Sequence, residues 1–207
     1  MKVFRVNNIF YSLQGEGRNT GRAAVFVRFA GCNLRCPFCD TEFSTYHEMS
    51  PDTLLAAIFS VVGGFAADTP PLVVLTGGEP TLQADETLIA LLHHHGYTVA
   101  MESNGTRPAP ENLDWLTVSP KDWWCSSGEW WRENSHRINE LKIVFDEDTP
   151  ARLSSLPLPP SALLYLQPCD TGDATRNTAI VQQCVDYIKR HPRWRLSLQT
   201  HKLIGIE

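Results

Sequence analysis

The chain has 207 residues, of which 43% are apolar and 20% are charged, and its formal net charge at pH 7 is −5. These values exclude a disordered or collagen-like protein, and the acidic balance gives no general attraction to nucleic acid or anionic lipid. The longest apolar stretch, residues 54–67, is shorter than the about 20 residues that span a membrane, and the N-terminus lacks the features of a signal peptide. We therefore expect one cytoplasmic domain, residues 1–207, with no nucleic-acid or membrane partner.

Strand-like and helical segments alternate in the first half of the chain. Residues 24–29 are predicted to form a strand that leads directly into a glycine and a cysteine. Ser50 is a good N-cap and Pro51 suits the first position of the helix that follows, which a Gly-Gly pair ends. Residues 72–75 are all apolar, as in a strand that is buried on both faces of a parallel sheet. A second helix is predicted over about residues 83–95.

The second half of the chain continues the same alternation. A third helix is predicted over about residues 177–190, and further strands are predicted at 97–101, 115–118, 141–145, 162–166 and 194–198. A complete eightfold barrel usually takes about 250 residues, which is more than this chain offers. We therefore predict an α/β fold, a reduced, open (partial) TIM-type barrel of about six parallel strands and three long helices.

Three of the six cysteines, Cys32, Cys36 and Cys39, lie within eight residues in the spacing C-x3-C-x2-C. Clustered cysteines in a cytosolic protein are more often metal ligands or redox groups than disulfide partners. A [4Fe–4S] cubane has four irons, so three thiolates would leave one iron open. Two alternatives remain at this point. One is a structural zinc site, for which His47 is the only nearby fourth ligand, and the other is a set of buried, unligated cysteines.

This cysteine spacing just after a strand resembles that of radical S-adenosylmethionine enzymes. Residues 75–80, LTGGEP, resemble their GGE segment, in which glycine permits close backbone approach and the carboxylate of Glu79 suits an ammonium group. Further motifs resemble the 7-carboxy-7-deazaguanine synthase family, and the likeness runs from residue 8 to 207. Those motifs are SLQGEG at 12–17, CDT at 39–41, SPK at 119–121, QPCD at 167–170 and QTHK at 199–202.

The resemblance implies a radical ring contraction of 6-carboxy-5,6,7,8-tetrahydropterin to 7-carboxy-7-deazaguanine with release of ammonia, in the biosynthesis of 7-deazapurines such as queuosine. Cys32, Cys36 and Cys39 would hold a [4Fe–4S] cluster that cleaves S-adenosylmethionine, and the resulting 5′-deoxyadenosyl radical would take hydrogen from C6 of the pterin. The resemblance also implies Mg²⁺, a flavodoxin- or ferredoxin-type electron donor and a homodimer.

Roles of individual residues follow from the same resemblance. The cofactor S-adenosylmethionine would contact Phe38, Cys39, Asp40, Gly78, Glu79, Ser119, Pro120, Lys121, Gln167, Pro168, Cys169 and Asp170. The pterin would contact Leu13, Gln14, Gly15, Arg28, Thr76 and Glu207. Arg28 would pair with the substrate carboxylate, a bidentate contact that suits a guanidinium. Thr41 would be a ligand of Mg²⁺. Relatives often end in proline where this chain ends in Glu207, but a terminal carboxylate is independent of the side chain.

Other readings of the sequence compete with these. A glycyl-radical activating enzyme would share the cysteine loop, and a non-enzymatic zinc or iron–sulfur module would share only its cysteines. The aromatic segment 123–131 is expected to pack against the barrel or a dimer partner, with a pterin stack as the alternative. Residues 102–105 either border the cofactor ribose or form a plain turn. His93, His94 and His95 are consecutive, so they cannot all face one metal ion on a helix.

Overall fold

The computed structural model describes residues 2–39, 41–42, 44–63, 69–121 and 130–207. The strands of this part of the chain are β1 (Phe4–Leu13), β2 (Ala23–Phe29), β3 (His47–Met49), β4 (Leu72–Gly77), β5 (Val99–Ser103), β6 (Trp115–Val118), β7 (Glu140–Phe145), β8 (Leu163–Pro168) and β9 (Trp194–Leu196). They form one open sheet in the order β3-β1-β2-β4-β5-β6-β7-β8-β9. Strands β2 and β4 to β9 pair in parallel, which confirms the predicted α/β partial barrel.

Two antiparallel strands, β1 and β3, were not predicted. In β1 the alternation of apolar and polar residues is interrupted at Asn7 and Asn8, and the pairing with β2 shifts its register between Val6 and Asn8. An irregularity of this kind places two residues opposite one and removes the period of two on which strand prediction depends. Strand β3 has only three residues and lies at the sheet edge.

The helices are α1 (Pro51–Val62), α2 (Glu86–His94), α3 (Trp130–Glu133), α4 (Thr149–Leu153), α5 (Ala174–Arg190) and α6 (Thr200–Ile204). Helix α1 begins as predicted, since Ser50 Oγ accepts a hydrogen bond from the Thr53 amide at 3.1 Å. The starts predicted for the other two long helices were each three residues off. Asp85 caps α2 and Asp173 caps α5, so α2 begins later and α5 earlier than expected. No helix of the described residues is long and apolar enough to cross a bilayer.

Alternate residues of the parallel strands divide between two apolar clusters. Val73 and Leu75 belong to the main core, which includes residues of α1 and α2, whereas Leu72 and Val74 belong to a small cluster with Ala24 and Ala100. Because side chains two residues apart share a face, the face of the small cluster becomes polar further along the strands. It carries Arg28 on β2, Thr76 on β4 and Glu102 on β5, near the carboxyl ends of these strands.

Several side chains outside the motifs have structural roles. Cys184 is fully buried in the core, as expected. Trp131 is also fully buried and Trp130 packs against the same core, which confirms packing for this end of the aromatic segment. Its other tryptophans and Cys125 lie outside the described residues. His93 bonds to Asp114 while His95 packs edge-on against Phe59, so these imidazoles point in different directions.

Candidate active site

A cavity of about 520 Å³ opens at the carboxyl ends of the parallel strands, and we call it the strand-end cavity. It brings together most of the residues for which the sequence predicts a role. These are Leu13, Gln14, Gly15, Arg28, Cys32, Cys36, Phe38, Cys39, Thr41, Thr76, Gly78, Ser119, Lys121, Gln167, Pro168, Cys169, Asp170 and Glu207. Of the remaining predicted residues, Glu79 and Pro120 do not line the cavity, and Asp40 lies outside the described residues.

The GGE segment is fitted against the base of the cysteine loop. The Gly78 amide donates to the Phe29 carbonyl at 3.0 Å, and the Glu79 amide donates to the Gly31 carbonyl at 2.9 Å. A β-carbon on Gly78 would lie 1.9 Å from the Gly31 oxygen, so only glycine allows this approach. The sequence correctly predicts that another group lies close to the backbone at Gly78. That group is the backbone of the chain's own cysteine loop.

Glu79 is fully buried and joins β4 to the loop after β5. Its carboxylate accepts hydrogen bonds from the amide and hydroxyl of Thr81 at 3.1 and 2.7 Å, from Ser103 Oγ at 2.8 Å and from the Asn104 amide at 2.7 Å. Four donors within the protein therefore surround a carboxylate that the sequence assigned to an external ammonium group. Of Gly78 and Glu79, Gly78 is the residue that lines the cavity.

The three loop cysteines suit an iron–sulfur cluster better than a single metal ion. Among the described residues, no three ligating side chains are grouped closely enough to hold one ion, and His47 is exposed on β3. A cubane offers a separate iron to each thiolate, so its ligands need not converge on one point. Burial raises the pKa of the Cys32 thiol, and its sulfur lies 3.4 Å from the Leu34 amide. Metal coordination deprotonates such a thiol outright.

A buried ammonium group lies in the wall of the strand-end cavity. Lys142 on β7 is only 5% exposed and contacts the carboxylates of Glu16 and Glu102, the latter at 3.0 Å. Burial alone would lower the pKa of Lys142, but the charges of Glu102 and Glu16 outweigh burial and raise it. Gln14 extends the network, because its amide nitrogen donates to the other oxygen of Glu102 at 2.8 Å. Glu102 is a residue of β5 and its side chain lines the cavity, so it is not part of a plain turn.

A buried carboxylate on the same strand, Glu140, contacts the end of the SLQGEG segment. Glu140 is buried and accepts a hydrogen bond from the Arg18 amide at 2.8 Å. A β-carbon on Gly17 would lie 2.0 Å from one of its oxygens. Burial raises the pKa of Glu140 to about 7, because the bond from Arg18 and the charge of Lys142 offset only part of the desolvation. This contact fixes the turn that presents Gln14 and Gly15 to the cavity.

The C-terminal segment closes the other side of the same turn. The amide of Thr200 donates to the Gly15 carbonyl at 3.0 Å, and Ser12 Oγ donates to the main-chain oxygen of Glu207 at 2.6 Å. A β-carbon on Gly15 would lie 2.3 Å from His201 Nδ1. The SLQGEG and QTHK motifs, which are more than 180 residues apart in sequence, are therefore direct neighbours in the fold.

Two cationic groups line the cavity beside aromatic rings. The Arg28 guanidinium lies 4.7 Å from the centre of the Phe10 ring, and Phe10 stacks on Phe26. The Lys121 ammonium lies 5.8 Å from the centre of the Phe38 ring, and burial together with the nearby Lys142 charge lowers its pKa. Both cations face a space that is also lined by the loop cysteines, so the cavity can receive anionic groups next to the cluster position.

Sequence analysis assigned no role to several residues that line this cavity. They are Glu16, Lys142, Gln199, His201 and Lys202. Glu16, Gln199, His201 and Lys202 lie inside motifs that the sequence quotes, so motif membership was a usable signal for them. For Lys142 the usable signal was a lysine inside an otherwise apolar strand, since such a charge must find buried partners.

Comparisons with known proteins agree with this geometry. The model of the Radical SAM superfamily matches residues 26–124, which include the cysteine loop and the GGE segment. A 7-carboxy-7-deazaguanine synthase from Bacteroides thetaiotaomicron is 46% identical over 202 residues and is covered to 98%, as is this chain. A protein of the same name from Nitratidesulfovibrio vulgaris is 43% identical, with 99% of each chain covered.

A solved structure shows the same architecture. The crystal structure of QueE from Escherichia coli matches with a TM-score of 0.74 and 28% sequence identity. The match covers 95% of this chain and 93% of that one, so the two folds agree over nearly their whole length.

Proposed function

Since this chain belongs to the 7-carboxy-7-deazaguanine synthase family of the Radical SAM superfamily, we propose that it contracts the ring of 6-carboxy-5,6,7,8-tetrahydropterin to 7-carboxy-7-deazaguanine and releases ammonia. The observation that carries the proposal is the strand-end cavity, in which the three loop cysteines and Arg28 line one space. Similarity over 98% of both chains argues against a glycyl-radical activating enzyme or a non-enzymatic metal module.

The cluster site is formed by Cys32, Cys36 and Cys39. A [4Fe–4S] cluster held there would supply the electron for reductive cleavage of S-adenosylmethionine. The chain's own contribution is to position the cofactor. Gly78 and Lys121 line the cavity, and Lys121 supplies a cation in a buried part of its wall. Phe38, Cys39, Ser119 and the segment 167–170 are the other predicted contacts with S-adenosylmethionine that line the cavity.

Arg28 is the residue that we assign to the substrate carboxylate. The ring of Phe10 holds its guanidinium in the cavity, and a guanidinium binds a carboxylate through two parallel hydrogen bonds. Leu13, Gln14, Gly15 and Thr76 line the same space and would orient the pterin, with Glu207 at its rim. Correct orientation brings C6 of the pterin towards the cofactor. Such positioning of the reacting groups lowers the activation barrier.

Thr41 is the proposed ligand of Mg²⁺. It lines the cavity next to Cys39, but a single hydroxyl group cannot hold this ion, which prefers six oxygen ligands. Oxygens of the bound pterin and water would have to supply the rest. We therefore expect Mg²⁺ to bind together with the substrate and to orient it. The homodimer, the flavodoxin- or ferredoxin-type donor and a cytoplasmic location complete the proposal.

The test is an anaerobic assay with dithionite, S-adenosylmethionine, Mg²⁺ and the pterin, in which 7-carboxy-7-deazaguanine is measured by mass spectrometry. No protein substrate is added, so a glycyl-radical activating enzyme would give no product. Arg28→Ala should weaken pterin binding while uncoupled cleavage of S-adenosylmethionine stays measurable. Arg193→Ala, at an exposed site, is the matched control. Absence of product from the cluster-loaded parent protein would contradict the proposal.

A further inference from the structure

Strand β1 changes the face on which its even-numbered residues lie. Val6 is opposite Phe29 in β2, and both are buried in the main core. The register with β2 then shifts, so Asn8 is opposite Arg28, whose side chain lines the strand-end cavity. An extra residue in one strand reverses the faces of the residues that follow it, and such irregularities are common next to active sites. Asn8 therefore belongs to the cavity face, although the pattern of Phe4 and Val6 would place it in the core.

The residues after the irregularity show the same reversal. Ile9 packs against the main core, whereas Phe10 is opposite Phe26 and stacks on it, with the ring centres 4.9 Å apart. Ser12, two residues further along, shares the face of Phe10. Asn8, Phe10 and Ser12 therefore form one row on the cavity face of β1.

The two ends of this row hold the last residue of the chain. Asn8 Nδ2 donates a hydrogen bond to Glu207 Oε1 at 2.8 Å, and Ser12 Oγ donates to the main-chain oxygen of Glu207 at 2.6 Å. The side chain and the main chain of Glu207 therefore have separate partners. A carboxylate accepts several hydrogen bonds, so the terminal carboxylate keeps acceptor capacity for a ligand in the cavity that Glu207 lines.

We propose that Asn8 is a positioning residue for the pterin, which acts by holding the Glu207 side chain so that the terminal carboxylate stays at the strand-end cavity. The inference rests on the proposed function, which places Glu207 at the rim of the pterin site. The Glu207 side chain is then an anchor. Ordering a chain end costs conformational entropy, and an anchor that already exists in the free protein removes this cost from substrate binding. Loss of the anchor should therefore weaken pterin binding more than it slows the chemical step.

A double-mutant cycle on the cluster-loaded protein tests the contact. Asn8→Ala removes the donor, and Glu207→Ala removes the acceptor but leaves the terminal carboxylate in place. Gln182→Ala on α5 is the matched control, because Gln182 Nε2 also donates to an exposed carboxylate, that of Asp186, at 3.2 Å. The KM and kcat for the pterin and the melting temperature are measured for each protein, with dithionite as reductant.

A second readout does not depend on turnover. The Ile206 amide donates to the His201 carbonyl at 3.1 Å within the C-terminal segment. Amide hydrogen exchange of the peptide 200–207, measured by mass spectrometry, therefore reports how firmly the end of the chain is held. Exchange should be faster in Asn8→Ala and in Glu207→Ala than in the parent and the control.

We expect each of these two single variants to raise the KM for the pterin about fivefold with little change in kcat, the size of effect that one hydrogen bond gives. The double variant should raise the KM no further, because both changes remove the same contact. Glu207→Gln, which keeps an acceptor oxygen, should recover most of the affinity that Glu207→Ala loses. An additive increase of about 25-fold in the double variant, or the parent KM in Asn8→Ala, would overturn the role of Asn8.

Failure of the proposed function gives a different result. A parent protein that makes no product refutes the reaction assignment, while hydrogen exchange still decides whether Asn8 holds the end of the chain. An active parent, together with a lower melting temperature but an unchanged KM in Asn8→Ala, would show that the contact is only structural, and this contradicts the inference.

Discussion

Lys142 and Glu102 form an ion pair of 3.0 Å inside the fold, with the Lys142 side chain only 5% exposed. The same ammonium group contacts Glu16, so one buried cation serves two carboxylates from distant parts of the chain. Removal of one partner from a buried ion pair leaves an uncompensated charge, which is more damaging than the absence of the whole pair. Loss of Lys142 is therefore expected both to lower the stability of the fold and to change the wall of the cavity.

Lys142→Met should lower the free energy of unfolding by about 3–5 kcal/mol, the range for a broken buried pair. Urea denaturation measures it. Lys189→Met is the control, since Lys189 is exposed and its pair with Asp186 should contribute less than about 1 kcal/mol. Adding Glu102→Gln to Lys142→Met should recover part of the loss, because one of the unpaired carboxylates is then gone. A loss in Lys142→Met no greater than in the control would show that the pair is not stabilising.

The contact of Gly15 with His201 predicts a coupled pair of substitutions. Gly15→Ala should raise the KM for the pterin, because the new methyl group would lie 2.3 Å from His201 Nδ1 and must displace the C-terminal segment. Gly15→Ala/His201→Ala should recover part of that loss, since the smaller side chain leaves room for the methyl group. Steady-state kinetics of the four proteins give the coupling. Strictly additive effects would contradict direct steric contact.

Glu140 predicts a pH dependence of stability. Its pKa is raised by burial to about 7, so the folded protein retains a proton that the unfolded chain releases near 4.5. The unfolded state therefore binds fewer protons between these values, and the contribution of Glu140 to stability falls as pH rises from about 4.5 to about 7. Glu140→Gln resembles the protonated form and should escape this loss. Its free energy of unfolding relative to the parent should rise by up to about 3 kcal/mol across that interval.

Urea denaturation of both proteins at several pH values checks this prediction. Other titrating groups are common to both proteins, so the difference between them isolates Glu140. A difference that stays constant from pH 5 to pH 7.5 would show that Glu140 ionises normally in the folded protein.

Glu79→Gln tests whether Glu79 links two parts of the fold or contacts the ammonium group of the cofactor. An amide nitrogen in place of either oxygen would face a donor, from Asn104 on one side or from Ser103 and Thr81 on the other. We expect the melting temperature to drop, with a cost of about 1–3 kcal/mol. Weaker binding of S-adenosylmethionine at unchanged stability would instead support direct contact with the ammonium group. Glu86→Gln on α2 is the control for charge.

The sequence predicted the parallel strands because each is a short apolar segment. Each also pairs in the sheet with the next parallel strand along the chain. It also predicted α1, since Ser50 and Pro51 are local signals that need no tertiary information. Strand β1 was missed because the shift near Asn8 breaks its period, and its pairing with β3 joins residues about 40 positions apart.

The charged wall of the cavity was missed for a related reason. Glu16 and Lys142 are 126 positions apart, and no spacing rule connects them. Only the tertiary fold, which places β7 beside the SLQGEG turn, brings them into contact. Cys32, Cys36 and Cys39 were found because a single loop carries all three and their spacing alone is informative.

Cys32, Cys36 and Cys39 are proposed to hold a four-iron cluster at the cavity. The most direct measurement is the iron and sulfide content per chain after anaerobic reconstitution of the parent protein, Cys36→Ala and Cys184→Ala. Cys184 is buried in the core and serves as the control for loss of a cysteine. We expect about four irons per chain in the parent and in Cys184→Ala, and loss of the cluster in Cys36→Ala. One zinc per chain in the parent, or an intact cluster in Cys36→Ala, would show that the three cysteines do not hold a four-iron cluster.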